Sequence, residues 1–269
     1  MAAGIAEVAA RGGIRAVLRA RSEASAASAI EQITGGLSHL VDKAKLDATE
    51  RDRILANIST TVDLGGLADC DIVIESVVED LATKQQLFRE LDSIVKASAI
   101  LATNTSTLSV VEMAKVTKRP AQVCGIHFFN PAAVLPLVEI VRPITASDET
   151  VSRAAAFVTA IGKEGVHVLD RAGFIVNALL FPYLNNAIRM LEAGTASMED
   201  IDIAMKGGCN FPMGPFALLD LVGLDTSLSI LETLHASFGD DNFVARPMLR
   251  DLVAQGRLGR KTKAGFYVY

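Results

Sequence analysis

Short apolar runs alternating with helix-period segments constrain this chain more than any other feature. Asp71-Ile72-Val73-Ile74-Glu75, Ala99-Ile100-Leu101-Ala102 and Val123 to Phe129 have the length and character of strands, and Ile14 to Leu18 reads as a fourth. Between them lie helical patterns. Residues 3–11 place Ile5 and Val8 on one face and stop at Gly12-Gly13. Ala24 to Asp42 is helical, with Gly35-Gly36 weakening its middle, and Thr49-Glu50-Arg51-Asp52-Arg53 opens another helix on a solvated face. Thr83 to Val95 is amphipathic, with Leu87, Leu91, Ile94 and Val95 inward, and Ser109 to Ala114 adds a short helix. Such alternation predicts parallel βαβ units in a doubly wound α/β sheet. The continuous apolar run at Ile72–Ile74 predicts burial on both strand faces.

The pattern changes near Asp170. Before it come a helix that follows Asp148-Glu149-Thr150 and runs to Gly162, and a strand-like Val166-His167-Val168. From Gly173 onward only helices are predicted: Phe174 to Leu191, kinked at Pro182 and ended by Gly194, then one capped by Ser197 with Asp200, then Thr226 to Phe238 and Pro247 to Ala254. Residues 1–170 and 171–269 are therefore expected to be separate domains, the second smaller and all-helical. So apolar a helical tail either folds on itself or pairs with another subunit.

In doubly wound sheets ligands sit beyond the carboxyl ends of the strands. Ser76 to Glu79, Asn104 to Ser106 and His127 to Asn130 all fall at such ends. His127 sits inside an apolar run, and the next apolar run, Leu137 to Val141, carries a lone Glu139. The short, turn-rich loop from Pro131 to Pro136 would let adjacent strands bring the two together as an oriented general base. A core histidine beside a strand-edge glutamate would show the same spacing.

Composition narrows the partners. A net charge of −5 argues against nucleic acid or an anionic membrane surface. The longest uncharged stretch, Pro120 to Val138, is interrupted by prolines and is no membrane span. The opening residues carry no secretion signal. Cys70, Cys124 and Cys209 are scattered without metal-ligand spacing, as expected for buried thiols in a reduced, cytoplasmic protein.

Five motifs occur in order: Asn104-Thr105-Ser106, Gly125-Ile126-His127-Phe128-Phe129-Asn130-Pro131, Gly173-Phe174-Ile175-Val176-Asn177, Pro212-Met213-Gly214-Pro215-Phe216 and Gly265-Phe266-Tyr267. Together they resemble the 3-hydroxyacyl-CoA dehydrogenase family, especially its short-chain, 3-hydroxybutyryl-CoA type, over essentially the whole chain. The resemblance implies a Rossmann-like domain with a helical dimerisation and substrate domain, NAD as cofactor, an acyl-CoA substrate, a homodimer, and a place in fatty acid or butanoate metabolism. It implies His127 as the base that takes the substrate's 3-hydroxyl proton and Glu139 as its orienting partner, with Ser106 and Asn177 on the substrate's oxygens. Ala2, Glu79, Lys84, Asn104, Asn130 and Lys261 would face the cofactor, and Lys43 the CoA moiety.

The chain departs from that pattern in several places. It opens inside the Gly-x-Gly-x-x-Gly turn, with Ala2 at the third glycine position, and the first strand and first two glycines are absent. In the common 3-2-1-4-5-6 order that strand is central, so an incomplete or mis-started version of a longer protein is expected, and a catalytically silent scaffold or CoA-thioester binder of the same fold is the rival to the enzyme. Gly36 replaces a serine that often accompanies Lys43, and Lys263-Ala264 replaces a glycine-containing turn beside Lys261. Where an acid is expected for the adenosine ribose, the chain has Ala20 flanked by Arg19 and Arg21, which leaves NADP open beside NAD.

Overall fold

Strand pairing sets the architecture of the first half of the chain. In the computed structural model, which describes residues 1–269, the chain divides into two compact units, Met1–Asp170 and Arg171–Tyr269. The first begins with α1 (Ala2–Arg11), β1 (Ala16–Arg19), α2 (Glu23–Asp42), α3 (Ala48–Ala56) and β2 (Ile58–Thr61). It continues with β3 (Ile72–Glu75), α4 (Leu81–Ile94), β4 (Ile100–Thr103), α5 (Val110–Ala114), β5 (Val123–Phe128), β6 (Leu137–Arg142), α6 (Asp148–Ala160) and β7 (Glu164–Leu169). β1 and β2 form a parallel pair, and the other strands form a sheet in the order β3-β4-β5-β6-β7. Every neighbouring pair in that sheet is parallel except β5 and β6, which are antiparallel.

Helix starts follow from local chemistry. The Ser22 hydroxyl accepts from the Ser25 amide at the head of α2, Asp80 accepts from the Thr83 amide at α4, and Ser147 accepts from the Thr150 amide at α6. Such caps satisfy amides that have no partner inside the helix and contribute about 1 kcal/mol each. Ile5, Val8 and Ala9 of α1 share one core with Ile100, Ala102, Cys124, Ile126, Val138 and Ile140 of the sheet and with Val151, Ala154 and Val158 of α6. Side chains alternate between the faces of a strand. His127 and Glu139 therefore lie on the face opposite that core, with Gly125 and Val141.

The strands form two sheets, and β1 and β3 do not pair with each other. Several sequence expectations need correction. As the edge of its sheet, β3 buries only Val73 and Glu75, while Ile72 and Ile74 remain partly exposed, so it is not buried on both faces. β2 was not anticipated. Ile58-Ser59-Thr60-Thr61 has one apolar residue, and pairing with β1 rather than periodicity makes it a strand. In α4 the fully buried stripe runs through Lys84, Phe88 and Leu91, with Leu87 and Ile94 only half-buried. Of the thiols only Cys124 is buried, and burial pushes its pKa up to about 12; Cys70 is half-buried and Cys209 is exposed.

The second unit comprises α7 (Val176–Glu192), α8 (Met198–Cys209), α9 (Pro215–Val222), α10 (Leu224–Phe238) and α11 (Pro247–Ala254). α7 runs through Pro182 as one helix. α9 was missed in the sequence, although Pro215 at its first position is a start signal. Phe181, Leu184, Ile188, Phe216, Leu231 and Leu234 centre the core. Two buried aspartates tie down the chain's last residues. Asp220 accepts the amides of Phe266 and Tyr267, each at 2.8 Å, and Asp202 accepts the Phe216 and Ala217 amides and the Tyr267 hydroxyl. No helix of the chain is long and apolar enough to cross a membrane.

Candidate active site

The antiparallel register of β5 and β6 places His127 opposite Glu139 and Gly125 opposite Val141. The His127 Nδ1 lies 2.7 Å from Glu139 Oε2, with the imidazole 6% exposed and the glutamate wholly buried. An ionised Glu139 keeps the proton on Nδ1 and makes Nε2 the basic nitrogen. Low dielectric around the pair strengthens the bond and fixes the ring. The Phe129 ring packs 4.6 Å from the imidazole, centroid to centroid. Two residues before His127, a Cβ at Gly125 would come within 2.7 Å of the Val141 Cβ. Gly125→Ala is therefore expected to force the two strands apart and lower stability by about 1–3 kcal/mol. A urea-denaturation midpoint unchanged from the parent would contradict this.

A second cluster joins the carboxyl ends of β3 and β4. Glu75, 3% exposed, takes the Lys84 ammonium at 2.6 Å and the Val77 amide at 2.6 Å on Oε1, and the Thr103 hydroxyl at 2.8 Å on Oε2. Lys84, 1% exposed, also pairs with Glu79 at 3.3 Å. Glu79 in turn accepts from the Thr105 hydroxyl and from the Ser106 amide at 2.9 Å. Burial alone would raise the Glu79 pKa, but the Thr105 hydroxyl, the Lys84 ammonium and the Ser106 amide outweigh it and hold the carboxyl below its ordinary range. The clamp is thus in place at neutral pH and is lost only as pH falls through that depressed pKa. Asn104 completes the rim: its amide donates to Glu75 O at 2.8 Å and its side-chain oxygen accepts from Phe128 N at 2.7 Å.

Glu79, Lys84, Asn104 and Ser106 thus belong to one network reaching the strand that carries His127. Glu75 is its centre, and sequence reading assigned it no role. The available signal was a glutamate closing an apolar strand, followed nine residues later by a lysine that falls on the buried face of a helix.

The same rim can be tested for a dinucleotide. At the start of α1, Met1 supplies no side-chain cap, so the first-turn amides, including that of Ala2, remain donors for an anion. A Cβ at Gly4 would lie 3.3 Å from the Ala132 Cβ, which puts this helix start against the loop that follows the exposed Asn130. The Ser76 hydroxyl, just past β3, is buried with no partner. These groups fit a pyrophosphate and a polar ring at the strand ends. The β1 end does not match the NAD pattern, since Ala20 brings no carboxylate.

Three sequence candidates remain. Lys43 is exposed just past α2. In the second unit Asn177 is buried in the first turn of α7. Lys261 reaches both carboxylate oxygens of Asp225 at 2.6 Å, and the neighbouring Lys263 adopts φ +58° where the resemblance leads one to expect glycine.

Comparison with known proteins agrees with both units. Residues 1–171 match the 3-hydroxyacyl-CoA dehydrogenase NAD-binding domain, and residues 173–269 match the C-terminal domain of the same family. The chain is 44% identical to a 3-hydroxybutyryl-CoA dehydrogenase of Mycobacterium tuberculosis, over all of this chain and 95% of that protein. It is 41% identical to a 3-hydroxybutyryl-CoA dehydrogenase of Clostridioides difficile, over all of this chain and 96% of that one. The crystal structure of (S)-3-hydroxybutyryl-CoA dehydrogenase from Ralstonia eutropha superposes with a TM-score of 0.97 at 39% identity, covering all of this chain and 95% of that one. With both domain patterns matched in register from end to end, this chain belongs to the 3-hydroxyacyl-CoA dehydrogenase family.

Proposed function

We propose that this chain interconverts short-chain 3-hydroxyacyl-CoA and 3-oxoacyl-CoA with a nicotinamide cofactor, His127 serving as base and Glu139 as its orienting partner. The 2.7 Å contact between the two, on strands held in register by a sheet, is the observation that carries the reading. In the oxidative direction His127 Nε2 takes the 3-hydroxyl proton, and a bound nicotinamide would supply the acceptor for the hydride on C3. The carboxylate of Glu139 stabilises the resulting imidazolium without itself taking the proton. Ser106, held by its amide to Glu79, and Asn177 hydrogen-bond the substrate's oxygens and hold C3 in line. Glu79, Lys84, Asn104 and Asn130 would hold the cofactor's nicotinamide end, and Lys261 would be a further cofactor contact. Lys43 contacts the CoA moiety. The exposed Leu179 and Ile203 of the helical unit support its pairing with a second copy in a homodimer.

Acetoacetyl-CoA-dependent oxidation of reduced dinucleotide, followed at 340 nm, tests the reading. Turnover of the CoA ester and not of free acetoacetate is the expected result. Turnover of the free acid at a similar rate would make this a dehydrogenase of free hydroxy acids. A folded chain that binds CoA esters but turns over neither substrate would fit the scaffold reading.

A further inference from the structure

In dinucleotide folds, the helix whose start receives the pyrophosphate feeds a strand whose carboxyl end receives the adenosine ribose. An acid there, roughly 20 residues beyond the glycine turn, binds the ribose hydroxyls, whereas arginine accommodates a 2′-phosphate. Here α1 feeds β1, and β1 ends at Arg19. Ala20 follows, its amide pinned to Thr61 O at 2.9 Å by the parallel neighbour, so the position is rigid and cannot borrow a carboxylate by a register shift. Arg19 and Arg21 on either side are exposed.

We propose that Ala20, Arg21 and Ser22, with Arg19, form a 2′-phosphate subsite, so that this chain binds NADP(H) more tightly than NAD(H). Arg21 is the principal ligand. Its guanidinium offers planar paired donors suited to a phosphate monoester, which carries about −1.5 to −2 charges at neutral pH. Ala20 removes the carboxylate that would repel that charge and leaves space beside the ribose. Ser22 and Ser25, joined hydroxyl to hydroxyl at 2.7 Å and each bonded to the other's amide, hold the turn open at the head of α2. Two acids are close by in the flanking elements. Asp63, beyond β2, is drawn back by the Gly65 amide at 2.9 Å, and Glu23 is exposed in the first turn of α2. Neither occupies the strand-end position that selects NAD.

The inference rests on the chain having a dinucleotide site but not on its turning over a CoA ester, so the test uses binding alone. Calorimetric titration of the full chain compares adenosine 2′,5′-bisphosphate with AMP, which differ only in the 2′-phosphate. The bisphosphate is expected to bind about tenfold or more tightly, the range of a hydrogen bond to a charged group. Raising the salt concentration should narrow that ratio. Arg21→Ala should erase the preference, Arg21→Lys should retain part of it, and Ala20→Asp should reverse it. Both positions lie just past β1, Arg21 exposed and Ala20 half-buried, and circular dichroism checks that each variant is folded. Equal affinity for the two probes, binding of neither, or an Arg21→Ala variant that keeps the preference would overturn the proposal. Failure of the CoA-ester assay with this preference intact would count against the proposed reaction and leave the subsite standing.

Discussion

His127→Gln is expected to lower kcat for acetoacetyl-CoA reduction by roughly 10²–10⁴-fold, the range that a positioned acid or base contributes. Glutamine keeps a polar, similarly sized side chain on β5 and can donate its amide to Glu139, so the strand pair should persist. What it cannot do is exchange a proton with the substrate oxygen at neutral pH. Binding of the CoA ester, read by calorimetry, should stay near the parent value, because binding draws on contacts made by other groups. Glu139→Gln should also lower kcat: the 2.7 Å contact retains an acceptor but loses the charge that stabilises the imidazolium. A His127→Gln variant with near-parent turnover would remove His127 as the base. A large loss of ester binding would instead assign it a role in holding the substrate.

Lys84→Met is expected to destabilise the fold by about 3–5 kcal/mol, the penalty for removing one partner of a buried ion pair. Two features make this site severe. Glu75 is 3% exposed and keeps only the Val77 amide and the Thr103 hydroxyl once the ammonium is gone. Methionine fills most of the lysine's volume, so the loss reports the uncompensated carboxylate rather than a cavity. Glu75→Gln leaves no buried anion and should cost less than Lys84→Met. The double variant Glu75→Gln with Lys84→Met should recover part of the loss, giving a coupling energy characteristic of contacting residues. Urea denaturation of all four proteins measures it. Additive losses in the cycle would show that the pair does not act as a unit. Because Lys84 also holds Glu79, and Glu79 holds the Ser106 amide, the single variant should loosen the loop that carries Ser106 as well.

Much of the fold is legible without coordinates. Alternating apolar runs and amphipathic helices already specify parallel strand–helix units, since the periods of 2 and 3.6 residues are properties of the local backbone. Capping residues mark several helix starts for the same reason. β2 and α9 were not visible in this way. One is a polar segment made into a strand by its neighbour, and the other is a short apolar helix whose periodicity is hard to tell from a core segment.

The site divides along the same line. The sequence alone determined which chemical groups are present: an imidazole in an apolar run, a lone carboxylate in the next, an asparagine and a serine at a strand end, and arginines where an acid is usual. Only the tertiary structure decided that β5 and β6 run antiparallel in the register that sets Glu139 against His127. Only it showed that Lys84 is locked to Glu75 inside the protein, and that β1 and β3 stand in separate sheets. The physical reason is that residue type and periodicity are local, whereas register, burial and charge pairing depend on segments distant in the chain. A shift of one residue in either strand would have sent the glutamate to the other face of the sheet, with the same groups present and no pair between them.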